Sequence, residues 1–151
     1  MVVKNEAKKS KDKKKIYKKI ATLETDFIPS NQDEKFMEFL RKFIICEQIF
    51  QSACKLQKGH SVSSKEYTDL NVNKIISVLE YYGYVIEKPL LTFIFSSNDK
   101  VGERSCKKLR NYICHDYNQS AILELFKRYD ECIQQMDCFI NQMKEQSKED
   151  E

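Results

Sequence analysis

The sequence predicts an all-α fold, a four-helix up-and-down bundle behind a basic N-terminal tail, on three observations. Glycine and proline are scarce, with 3 Gly and 2 Pro in 151 residues, so few positions interrupt a helix. Hydrophobic residues make up 41% of the chain and aromatics 11%, enough for one continuous core. The apolar residues recur at steps of three and four, and no internal repeat is present.

The elements follow in order. Residues 16–25 suit a short helix that Pro29 breaks, and Ser30-Asn31-Gln32-Asp33 then offers an N-cap with an acid three residues on. Phe36, Leu40, Phe43, Ile44, Phe50 and Cys54 keep helical spacing to about Lys58, and residues 59–65 read as a loop. A second helix has Thr68 or Asp69 as cap, a stripe of Val72, Ile75, Ile76, Leu79 and Tyr82, and Gly83 as its stop. Residues 84–95 are ambiguous: β-branched and aromatic side chains suit a strand, whereas Pro89 could open a short buried helix, which is the reading adopted. Ser96-Ser97-Asn98-Asp99 supplies caps for a third helix that buries Val101, Cys106, Leu109 and Ile113. On that helix Arg104, Lys107, Lys108, Arg110 and Asn111 would crowd one exposed face. A last helix over residues 118–148 carries Ile122, Phe126, Tyr129, Ile133, Met136, Ile140 and Met143, a bundle or dimer seam.

Composition excludes several classes. The longest apolar stretches, residues 43–46 and 89–95, fall far short of the roughly 20 needed to span a bilayer. The lysine-rich start has no apolar stretch behind it, so no secretion signal is read and a cytoplasmic location is expected. Six cysteines (46, 54, 106, 114, 132 and 138) contain no C-x-x-C pair and read as small hydrophobes. A zinc site from Cys106, Cys114 and His115 would lack paired spacing and a fourth ligand, so no metal or other cofactor is expected. Residues 1–20 hold nine lysines against Glu6 and Asp12, a net +7 that leaves −4 for the rest of a +3 chain. That block reads as a solvated, disordered segment that can grip phosphates without sequence preference, so residues 1–28 are taken as a lysine-rich tail with a short helix at its end and residues 29–148 as the bundle.

Between the third and fourth helices stands Arg110-Asn111-Tyr112-Ile113-Cys114-His115-Asp116-Tyr117. Cleaving RNA without a metal requires a base for the 2′-OH, an acid for the departing 5′-oxygen and a cation for the charge growing on phosphorus oxygens. His115 suits the first two roles, because an imidazole populates both protonation states near neutrality. Arg110 stays charged and presents a fork matched to phosphate, and Asn111 adds donors. Asp116 has no acidic companions nearby in sequence, which argues against a two-metal nuclease.

This stretch resembles the active-site motif of HEPN ribonucleases, an Arg, four to six residues, then a His. The Asn after the Arg and the Tyr two residues after the His resemble the toxins of HEPN/MNT toxin-antitoxin pairs. Requiring both additions brings the chance rate well below about 1%. The resemblance covers residues 33–146 and implies a HEPN-like bundle, a homodimer with a composite cleft, RNA as substrate and a 2′,3′-cyclic phosphate product. It implies Arg110, Asn111 and His115 as the catalytic set and a toxin or phage-defence role. It also implies an MNT-type nucleotidyltransferase antitoxin as partner, with Tyr117 as the hydroxyl it modifies. Arg104, Lys107 and Lys108 would add RNA affinity.

Geometry adds a constraint. Residues five apart on a straight helix point about 140° from each other. Either the helix ends between Arg110 and His115, or facing motifs of two subunits form the site. The dimer also supplies a second histidine, since each chain has only His60, read as an exposed loop residue, and His115. Two plainer readings stand beside these: Arg and His capping a helix C-terminus, and Tyr117 as a packing residue. The rival function is a non-catalytic bundle that binds RNA or nucleotide, or scaffolds a nucleotidyltransferase.

Overall fold

Phe39, Phe43, Cys46, Phe50 and Cys54 fall three or four residues apart, so one face of a helix collects them all, and all five are buried. That helix is α1, Asp33–Lys58, in a computed structural model that describes residues 7–15, 17–18, 33–58, 72–97 and 103–147. From there the chain continues through α2 (Val72–Tyr81), α3 (Lys88–Phe95), α4 (Cys106–Asp116), α5 (Gln119–Lys127) and α6 (Tyr129–Ser147). The described residues contain no strand, so the fold class is all-α, with six helices over residues 33–147 in place of the four expected. None of these helices is long and apolar enough to cross a membrane.

The chain divides into two units, Met1–Asp33 and Glu34–Glu151. In the first, residues 7–15 are helical with exposed side chains. Lysine and alanine lose little side-chain freedom in a helix, which suits this part of the lysine block to that conformation. Pro29, the cap at residues 30–32 and the loop at residues 59–65 lie outside the described residues, as do Thr68, Asp69 and Val101.

In the second unit the short helix α3 is the hub. Pro89 sits in its first turn, where a missing N–H costs nothing, as the helical reading of residues 84–95 requires. Leu91 and Ile94 are fully buried, and α3 packs against α2, α4 and α6. Phe95 at its end meets Phe43 (6.4 Å between centroids) and Phe50 (6.1 Å) of α1 and Phe139 (5.6 Å) of α6. Four aromatic rings from three helices thus form the centre of the core. Gly83, at φ +82°, ends α2 as expected.

Two expectations are corrected. The third helix begins at Cys106, not near Ser96, because Ser105 caps it: its hydroxyl oxygen accepts the Lys108 N–H at 3.1 Å. That hydroxyl in turn donates to the Ser96 carbonyl at 2.6 Å, which ties the segment after α3 to the start of α4. The last helix is interrupted at Arg128, where φ is −108° and ψ 17°, so α5 and α6 replace one continuous rod. The expected seam is largely absorbed inside the chain. Ile122, Met136 and Met143 are buried beside Cys132 and Phe139, while Phe126, Tyr129, Ile133 and Ile140 are half-buried.

The interruption coincides with a buried charge cluster. Glu124 on α5 accepts the Arg104 backbone N–H and its guanidinium, both at 2.8 Å, and the Arg128 guanidinium at 2.7 Å. Arg128 also donates to the Arg104 carbonyl at 2.8 Å and lies over the Phe93 ring. One carboxylate thereby joins the start of α4, the end of α5 and, through Arg128, the side of α3.

Candidate active site

α4 positions the motif. Leu109 and Ile113 anchor its inner face in the core, and one turn of freedom remains for the residues between them. The helix runs unbroken from Arg110 through His115 to Asp116, so the expectation that it might end between the two is overturned. Tyr117 ends it instead, in the left-handed region (φ 53°, ψ 42°), donating its N–H to the Ile113 carbonyl at 3.1 Å. Asn118 follows at once as the cap of α5, its side-chain oxygen accepting the Ala121 N–H at 2.9 Å.

Arg110, Asn111 and His115 nevertheless border one cavity of about 500 Å³. The arginine side chain is long enough to offset the angle between its Cα and that of the exposed histidine. Lys107 and Lys108 line the same cavity, as do Tyr112 and Asp116 of α4. Its floor is apolar, made by Phe43, Phe50, Ile75 and Phe95 from α1, α2 and α3. Lys107 donates to the Ser97 hydroxyl at 3.1 Å, and the Lys108 ammonium stands 5.8 Å from the centre of the Tyr112 ring. Three cations and one titratable imidazole thus face two carboxylates, Glu47 and Asp116, over a water-poor base. Such a site can hold an anion and move a proton beside it.

Arg110 is the most constrained of these groups. Its Nη2 donates to Glu47 Oε2 of α1 at 3.0 Å, and its guanidinium lies over Phe43 with 4.9 Å to the centroid. Its Nε is buried and has no hydrogen-bond partner among the described residues.

Two expected residues stand elsewhere. Arg104 precedes the Ser105 cap, outside the helix; it is held by Glu124, borders a different cavity with Arg128, and stands 5.1 Å from the centre of the Tyr112 ring that Lys108 also approaches. Tyr117 is half-buried at the helix cap and is not among the residues lining the 500 Å³ cavity. Cys106, paired with His115 in the zinc alternative, is fully buried whereas Cys114 is exposed, and among the described residues no three His, Cys, Asp or Glu side chains are grouped as metal ligands. Sequence reading missed Glu47, Phe43 and Tyr112. Tyr112 lies inside the motif and could have been found there; Glu47 stands 63 residues from Arg110 with no local signal.

The architecture defines an all-helical protein with a cationic cavity built around an Arg-Asn-x3-His segment. Compared with family models, curated proteins and solved structures, the chain matches none.

Proposed function

We propose that this protein is a metal-independent endoribonuclease of the HEPN type. The observation that supports the reading is that Arg110, Asn111 and His115, chosen from the motif alone, line one cavity together with Lys107 and Lys108. In this reading a neutral His115 takes the proton from a 2′-OH, the oxygen attacks phosphorus, and the 5′-oxygen leaves with a proton from a second, protonated imidazole. Arg110 neutralises the charge on the phosphoryl oxygens and Asn111 orients the phosphate. The product carries a 2′,3′-cyclic phosphate.

Among the described residues His115 is the one histidine lining the cavity; in this reading the second comes from the same residue of another copy, and the active species is a homodimer with a composite cleft. A toxin or antiviral-defence role, with Tyr117 as the target of a nucleotidyltransferase partner, belongs to the same proposal and rests on the motif. Nucleotide added at Tyr117 would put phosphate charge near the end of α4 and repel RNA.

The test is direct. Purified protein incubated with single-stranded RNA in EDTA should release fragments ending in 2′,3′-cyclic phosphate, and light scattering at micromolar concentration should give a dimer mass. RNA left intact by stoichiometric protein would overturn the enzyme reading.

A further inference from the structure

Arg110 is built into its place from two sides. Phe43 and Glu47 stand one turn apart on α1, so the ring and the carboxylate form a two-point cradle, the first beneath the guanidinium plane and the second on Nη2. Both partners of the ion pair are largely withdrawn from water, with side chains 26% and 17% exposed. An exposed arginine would wander among rotamers, whereas this one is fixed by a stacking contact and a charge-assisted bond from a helix far away in sequence. Its Nε is buried inside this cradle, with no acceptor among the described residues. Arg110 lines the same cavity as Lys107 and Lys108, a grouping of cations that suits an anion.

We propose that Glu47 is a positioning residue that holds Arg110 against Phe43 and so aims the guanidinium at a phosphate oxygen of the ligand bound in the cavity. This deepens the nuclease reading and rests on it for the identity of the ligand as an RNA phosphodiester. The carboxylate itself repels phosphate, so Glu47 acts against ground-state affinity while it aims the guanidinium. Its removal therefore separates binding from turnover, which loss of a merely structural contact would not do.

The experiment uses the full chain and three variants, Glu47→Ala, Glu47→Gln and Phe43→Leu. Binding of a 2′-deoxy oligonucleotide analogue, which cannot be cleaved, should be unchanged or up to about threefold tighter for Glu47→Ala, while RNA cleavage falls about tenfold or more. Glu47→Gln keeps an acceptor at the same place and should recover most of that loss. Phe43→Leu keeps the volume but not the ring, and should lower cleavage with Glu47 intact. Equal losses in binding and cleavage for Glu47→Ala, or wild-type cleavage, would overturn the positioning role. A second readout is independent of activity: the Arg110 Nε–Hε resonance of nitrogen-15-labelled protein should be protected from exchange and should shift with the deoxy oligonucleotide. Inorganic phosphate should shift it more weakly. A resonance unmoved by either would overturn the assignment of the anion to Arg110. If wild-type protein never cleaves RNA yet this resonance behaves as described, the nuclease reading fails and the anion site stands.

Discussion

His115→Ala should lower RNA cleavage by roughly 10²-fold or more while changing RNA affinity little, the usual scale when a general acid or base is lost. The expectation follows from its place: His115 is exposed at the cavity rim, outside the core, so truncation leaves the packing of α4 through Leu109 and Ile113 intact. Arg110→Ala should reduce both quantities, because a phosphate contact acts in the ground state and strengthens as charge develops. Arg110 is partly buried on Glu47, so its removal also strands a carboxylate, and the melting temperature of that variant should drop where that of His115→Ala does not. Equal cleavage by wild type and His115→Ala, measured on samples with matching helix content by circular dichroism, would remove the histidine from the mechanism.

Glu124→Ala should cost about 3 kcal/mol of stability, read as a lower urea midpoint with an unchanged slope. Glu124 has only 8% of its side chain exposed and accepts from two guanidinium groups and a backbone N–H. Truncation leaves two neighbouring cations, each less than one-fifth exposed, with their common counter-charge gone. Glu124→Gln keeps the shape and one acceptor, and should cost clearly less. The same substitution probes the site at a distance, since Glu124 fixes Arg104, and Arg104 immediately precedes the cap of α4. A midpoint within experimental error of wild type for Glu124→Ala would show that the cluster adds nothing net.

The parts of this fold that could be read from sequence are those whose cause is local. The stop at Gly83 and the opening of α3 at Pro89 each depend on residues within a turn or two, whereas the stripe expected along α1 includes buried Phe43, Phe50 and Cys54 but misses buried Phe39 and Cys46 and takes in Ile44, which is exposed. The start of α4 was misplaced because four polar residues after Phe95 look as good as Ser105, and only the bond between Ser105 and Ser96 separates them. The interruption at Arg128 was invisible for a similar reason. The apolar spacing runs straight through it, while the groups that meet there, Arg104, Glu124 and Arg128, are joined across as many as 24 residues. Within the candidate site, the motif residues could be named in advance because they are contiguous. Glu47 could not, and neither could the hold of Glu124 on Arg104, since both depend on how separate helices are set against each other.

The distribution of sulfur also turns the chain into its own folding gauge. Cys46, Cys54, Cys106 and Cys132 are buried, and Cys114 and Cys138 are exposed. Burial pushes the Cys46 thiol up to about 12, and Cys106 is held well above its usual range by its bond to Cys132 and by burial, so neither forms thiolate readily in the native state. A brief pulse of an alkylating reagent should therefore add two tags to folded protein and six to unfolded protein, a difference that intact mass resolves molecule by molecule. Because Cys114 adjoins His115, one of those two native tags would also report directly on whether the cavity rim is covered by RNA or by a second copy.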